Sequence, residues 1–208
     1  MFSPGYIDGH EGIPIDPPDV FARLVPEFWD AGYAIHVHVQ GDGGARRTIE
    51  TLAALQERKP RFDHRFTLEH FGQASIETIA KAARLGASVS ALMYPFYSMG
   101  DPFADKVLGH DRMAMAFPYR QVVDHGMVLA LHSDTPVAPP NPLRNAWIAV
   151  NRKTRSGRVI GEQQAITVHE ALQAITINAA FVLGLENDIG SIRAGKRADF
   201  AVLESDPY

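Results

Sequence analysis

The stretch Ala34-Ile35-His36-Val37-His38-Val39-Gln40-Gly41-Asp42-Gly43-Gly44 is an apolar run that carries two imidazoles and then breaks into a Gly/Asp turn. Alternation along a strand places Ala34, His36 and His38 on one face and Tyr33, Ile35, Val37 and Val39 on the other. One face is therefore apolar and the other carries nitrogen donors. That division suits a strand of a parallel barrel, whose outer face packs under helices while its inner face, near the C-terminal end, reaches an active site. Gly41, Gly43 and Gly44 allow a tight exit into a helix.

Reading outward from this stretch, the same unit recurs. Upstream, residues 1 to 16 form an irregular lead-in rich in Gly, Pro and Asp. Asp16 then caps a helix over 17–31, with Val20, Leu24, Val25 and Phe28 on one stripe and Gly32 as its stop. Downstream, a helix over 44–58 buries Ile49, Leu52, Ala53 and Leu55. A strand over 65–69 ends at His70, and Ile76, Ile79, Ala80 and Ala83 mark the helix after it. The third strand covers 87–92, and Tyr94-Pro95-Phe96-Tyr97 opens a long loop with little periodicity. A helix over 118–125 leads to a fourth strand over 127–131, which ends at His132-Ser133-Asp134, and a helix over 143–151 follows. Four strands alternating with helices predict an α/β fold with a parallel sheet. Thr167-Val168-His169-Glu170 is a capping box that starts one helix running through Leu172, Ile175, Ala179 and Leu183 to Gly184. Asp199 to Leu203 reads as a short strand outside the rhythm, assigned to a small accessory sheet.

Composition narrows the function classes. At 208 residues and 46% hydrophobic content the chain can build a real core, and a formal charge of -4 gives no electrostatic reason to expect nucleic acid. Arg152, Lys153, Arg155 and Arg158, interleaved with Thr154, Ser156 and Gly157, read as a solvated loop. With no cysteine there are no disulfides or thiolate sites, so any metal must be held by histidines and carboxylates. No apolar run approaches the ~20 residues of a membrane span, and the N-terminus does not read as a signal peptide, so a cytoplasmic protein is expected.

Three strands end in groups suited to metal binding or proton transfer, namely His38, His70 and Asp134. A parallel barrel brings the C-terminal ends of its strands to one face. Neutral histidines bind zinc, a metal-bound water ionises near pH ~7, and a nearby carboxylate can carry its proton to a leaving amine. Asp42 reads as a turn residue, His36 as a buried supporting or packing residue, and His132 as strand-end packing.

Taken in order, several stretches carry a family pattern. They are His38-Val39-Gln40-Gly41-Asp42, Leu68-Glu69-His70, His132-Ser133-Asp134-Thr135-Pro136, Thr176-Ile177-Asn178-Ala179-Ala180, and Gly190-Ser191-Ile192-Arg193-Ala194-Gly195-Lys196-Arg197-Ala198-Asp199-Phe200. With these the chain resembles the amidohydrolase superfamily, specifically amidohydrolase family 3 and its N-substituted formamide deformylase-like branch. The resemblance implies the C-terminal half of a (β/α)8 TIM barrel, strands five to eight, over residues 1–184, with residues 185–208 giving a terminal strand of a small β-sandwich. It implies that His38 and His70 are metal ligands, and that Asp134 is both a metal ligand and the catalytic acid/base. His110 and Arg112 are weaker candidates for substrate contact. The implied cofactor is a divalent metal, zinc by default, with one or two ions in a complete enzyme. The implied reaction is hydrolysis of a C–N bond in a small amide- or formamide-like substrate. The family's first-strand histidine pair and fourth-strand bridging carboxylate or modified lysine have no counterpart in the chain. A catalytically inactive half-barrel is therefore the alternative, and the strand edges call for a homo-oligomer or a missing N-terminal half to cover them.

Overall fold

The computed structural model describes Ser3 and residues 5–208. Four strands, β1 (His36–Val39), β2 (Thr67–His70), β3 (Ser88–Leu92) and β4 (Leu129–His132), form one parallel sheet in the order β1-β2-β3-β4. The register aligns His38 with Glu69, Glu69 with Ser90, and Ser90 with Ala130. Since partners in register share a face, His36, His38, Thr67, Glu69, Ser88, Ser90 and His132 lie on one side of the sheet. Val37, Val39, Leu68, Val89, Ala91, Leu129 and Leu131 lie on the other.

The apolar side is the core. Helices α1 (Pro18–Asp30), α2 (Asp42–Arg58), α3 (Ile76–Arg84) and α6 (Tyr119–Asp124) bring Trp29, Ile49, Leu52, Ile79 and Val122 into one buried cluster with those strand residues. Each such side chain contributes roughly 1.5–3 kcal/mol when fully buried, so the alternation read from sequence is what fixes the sheet's orientation. Pro17 rather than Asp16 occupies the position before α1, and no side chain caps that helix.

The segment after β3, expected to be a loop, is helical. It forms α4 (Tyr94–Pro102), a π-helical turn over Phe103–Val107, and α5 (His110–Met115). Two prolines and a glycine hide its periodicity, yet Pro95 lies in the first turn where no amide is lost, and Pro102 falls where the helix widens into the π turn. Phe96 and Met113 anchor the segment in the core. The helix expected over 168–183 divides into α8 (Val168–Ala174) and α9 (Ile177–Val182). At Thr176 the backbone leaves helical geometry (φ −127°, ψ −97°) while its hydroxyl donates to the Leu172 carbonyl at 2.6 Å. The break leaves Leu183 exposed. The capping box of α8 is present as expected. Helix α7 covers Pro142–Asn151.

Two further expectations need correction. Asp199 to Leu203 forms no strand and is exposed, because no neighbouring strand among the described residues supplies its ladder bonds. The preceding Gly-rich motif instead works as a clasp. Gly190 has φ +84° and approaches α9 so closely that a Cβ would meet Ala180 Cβ at 2.8 Å, and Lys196 Nζ donates to the carbonyls of Glu186 and Ile189 and to the Ser191 hydroxyl. The basic loop is not wholly solvated either. Arg152 is completely buried, donates to the carbonyls of Ala116, Phe117 and Ile160, and stacks over Phe96. Arg158 pairs with Asp105 at 2.9 Å. Among the described residues, no helix is long and apolar enough to cross a membrane.

Candidate active site at the strand ends

The polar side of the sheet gathers the imidazoles of His38, His70 and His132 toward the C-terminal ends of the strands. By simple alternation His70 belongs with Val39 and Ala91 on the apolar side, but its backbone is left-handed (φ +69°), as is that of Phe71 (φ +51°). For residues other than glycine this conformation is uncommon and strained. The turn is held by Phe71 N–H, which donates to the carbonyls of Val39 and Glu69, and by Tyr119, whose buried hydroxyl donates to the His70 carbonyl at 2.8 Å. As a result the His70 ring lies against His38, with centroids 4.5 Å apart, and against His132, with centroids 5.0 Å apart.

Glu69 ties the rest of this face together. Its carboxylate accepts from His36 Nδ1 at 2.6 Å and lies 3.6 Å from His132 Nε2. Burial works against its charge, but the hydrogen bonds from His36 and Ser90 and the nearby His132 outweigh it and hold the carboxyl below its usual range. Burial, then the neighbouring imidazoles of His38 and His132, push His70 down to about 4 against the pull of Asp134 and Glu69. Burial likewise lowers His132. His70 is therefore a neutral imidazole at physiological pH, and its Nδ1 is buried without a hydrogen-bond partner.

His38 and His70 are brought into ring contact. Asp134 follows β4 by two residues with a left-handed backbone (φ +50°), stands exposed, and its charge acts on both His70 and His132. His36 is not buried: its side chain is 34% exposed, because nothing in the described chain covers this face. His132 is not mere strand-end packing, since its ring meets His70 and its Nε2 faces Glu69. His110 is engaged by Asp105 at 3.3 Å and by Arg158, while Arg112 donates to the Leu108 carbonyl. Sequence reasoning passed over Glu69, although alternation from Thr67 already set it on the histidine face. It also passed over Tyr119, Asn145 and Asn178. Asn145 donates to the His132 carbonyl and Asn178 to the Leu129 carbonyl, so both steady β4 from outside the sheet.

A divalent ion suits these donors in kind and not in number. Two imidazoles in contact, one of them with an unpartnered buried nitrogen, are the kind of donor zinc prefers. Yet among the described residues no three His, Asp or Glu side chains form a group that could hold an ion. A zinc site needs about four ligands.

The sequence profile described as "Amidohydrolase family" matches residues 1–208. The chain belongs to the amidohydrolase family. Among the relatives of this amidohydrolase-family chain, the N-substituted formamide deformylase of Arthrobacter pascens is 31% identical over 176 residues, which is 85% of this chain and 32% of that protein. A metal-dependent hydrolase from Pyrococcus furiosus, described as uncharacterized, superposes with a TM-score of 0.82 at 20% identity over 100% of this chain and 41% of the other. Atrazine chlorohydrolase TrzN from Arthrobacter aurescens TC1, solved with zinc, gives a TM-score of 0.59 at 19% identity over 90% of this chain and 40% of the other. The two structural likenesses establish a shared fold. The chain spans about a third of the length of the curated relatives it matches.

Proposed function

We propose that this chain forms part of the active face of a metal-dependent hydrolase that cleaves a C–N bond of an amide- or formamide-like substrate. The observation that carries the reading is the left-handed turn at His70, which brings a neutral imidazole, its buried Nδ1 without a hydrogen-bond partner, onto His38 at the end of a parallel sheet. The deformylase named above supports the bond type. The four-stranded sheet, with no strand beside β1 or β4 among the described residues, is then half of a (β/α)8 barrel. Further strands come from additional sequence or from a second copy of the chain.

His38 and His70 would hold the ion, with Asp134 as a third ligand and the remaining donors supplied by those further strands. A divalent ion bound there polarises a carbonyl and activates water. Asp134 accepts the proton of the attacking water and returns it to the departing amine nitrogen. Glu69 keeps His36 and His132 in place beside it, and the neutral state of His70 leaves its lone pair free for a ligand. Because the described residues by themselves, Asp134 included, form no group of three that could hold an ion, a silent scaffold is the competing reading.

One experiment separates the two. Metal per chain is measured by elemental mass spectrometry on a size-fractionated peak, with hydrolysis of formanilide followed on the same sample. The hydrolase reading expects bound zinc that is lost in His38→Ala and His70→Ala. It also expects Asp134→Asn to lower turnover by about 10²–10⁴-fold, the usual worth of a general acid/base. Folded protein without metal, or metal and turnover indifferent to all three changes, overturns it.

A further inference from the structure

A second feature lies between the helices that follow β3 and β4. α4 leaves β3 within two residues, and α7 is tied to the end of β4 through Asn145 Nδ2, which donates to the His132 carbonyl at 3.1 Å and the Ser133 hydroxyl at 3.0 Å. Between these helices lies an open recess of about 470 Å³ walled by Tyr97, Asn141, Leu143, Arg144 and Trp147. It adjoins a second recess of about 300 Å³ that shares Tyr97, Asn141 and Arg144 and reaches Tyr94 and Arg155.

The chemistry of this groove is specific. Arg144 lies 4.4 Å over the Tyr97 ring, and Trp147 keeps 45% of its surface exposed. Arg155 is positioned by its own backbone N–H, which donates to the Tyr97 carbonyl at 2.8 Å. Next to it, Thr154 packs against Gly100 and donates to Asp101, which fixes the loop against α4. Other arginines of the chain are neutralised, Arg120 by Glu170 and Arg158 by Asp105, but among the described residues neither Arg144 nor Arg155 has a carboxylate within ion-pair distance. Among the described residues, no acidic side chain lines either recess. Two guanidiniums without a carboxylate partner beside the exposed Trp147 match a planar ring that carries a carboxylate: the ring stacks on the indole, and the planar donor forks take the anion.

The geometry points to a substrate subsite in which an aromatic ring stacks on Trp147 while its carboxylate is held by Arg155 and by Arg144, whose guanidinium is already laid over Tyr97. The amide substrate is then aromatic and anionic at the end away from the scissile bond. Naming the ligand a substrate rests on the hydrolase reading above; binding of an aryl carboxylate does not.

The chain contains two tryptophans, and the other, Trp29, is fully buried with its Nε1 bound to the Lys59 carbonyl, so a ligand in the groove changes the emission of Trp147. The chain is titrated with 4-formamidobenzoate and with formanilide. The first is expected to quench saturably and to bind about tenfold more tightly, the value of one charge-assisted hydrogen bond. Arg144→Met and Arg155→Met, both at exposed positions, should each reduce 4-formamidobenzoate toward the affinity of formanilide and leave formanilide unchanged. Trp147→Phe should remove the signal. Equal affinity for the two compounds, or indifference to both arginine changes, overturns the subsite. Discriminating binding without any hydrolysis retains the aryl-carboxylate site and removes the hydrolase reading. Equal hydrolysis of both compounds, unaffected by Arg144→Met, does the reverse.

Discussion

Tyr119 is the residue on which the position of the His70 ring depends. It is fully buried in the core, with its ring edge-on to Phe117, and its hydroxyl reaches the His70 carbonyl at the point where the strand turns left-handed. Removing that hydroxyl leaves a buried carbonyl without its donor, so Tyr119→Phe should cost about 1–3 kcal/mol in urea unfolding. A cost below about 0.5 kcal/mol, the range of an ordinary surface change, would mean that another donor serves His70. At this scale the sequence was partly legible. His38 and Glu69 follow from alternation alone, since each faces the side its parity dictates. His70 does not, because its orientation comes from a dihedral angle that no spacing rule encodes. His36 was misread as buried because parity gives the face and not what covers it. Arg152 was misread for the opposite reason: three carbonyls and the Phe96 ring await it, and all lie at a distance along the chain.

Between elements, a bidentate ion pair joins α6 to α8. Arg120 makes a bidentate contact to Glu170, at 2.7 and 2.8 Å, and Glu170 also closes the capping box by accepting from Thr167 N–H at 2.7 Å. The Arg120 guanidinium, helped by the Thr167 donors, holds the Glu170 carboxyl down at about 2, against an ordinary value of 4.5. A carboxyl depressed on folding stabilises fully above its unfolded value and loses that contribution as pH falls through the folded one. The stability difference between the native chain and Glu170→Gln should therefore be constant from neutral pH to about 5 and shrink toward pH 2. A difference that stays constant across that window would place the carboxylate's worth outside this pair. The box itself was readable because its partners are three residues apart. Arg120 was not readable, being fifty positions away. The helices α4 and α5 were missed for a local reason: Pro95, Gly100 and Pro102 are breakers by composition, and only the fit of Phe96, Gly100 and Met113 against the core makes a helix worth forming there.

For the molecule as a whole, β1 and β4 each have one side without a strand among the described residues, and the polar sheet face is partly exposed at His36, Glu69 and His132. Unpaired strand edges are templates for association. The isolated chain of 208 residues is expected to sediment as a species larger than the monomer, and a clean monomer that unfolds reversibly would count against a half-barrel seeking its complement. The sequence by itself determined the strand and helix rhythm, the two faces of the sheet, the family, and the placement of His38, His70 and Asp134 at strand ends, because each depends on short-range periodicity or on a local motif. Only the tertiary structure decided that His70 turns back onto His38 and His132, that Glu69 links two histidines, that Gly190 and Lys196 form a clasp against α9, and that Arg144 and Arg155 line one recess beside Tyr97. Those are contacts between segments far apart in sequence, set by packing and by where buried carbonyls find their donors, and neither hydrophobic period nor spacing carries that information.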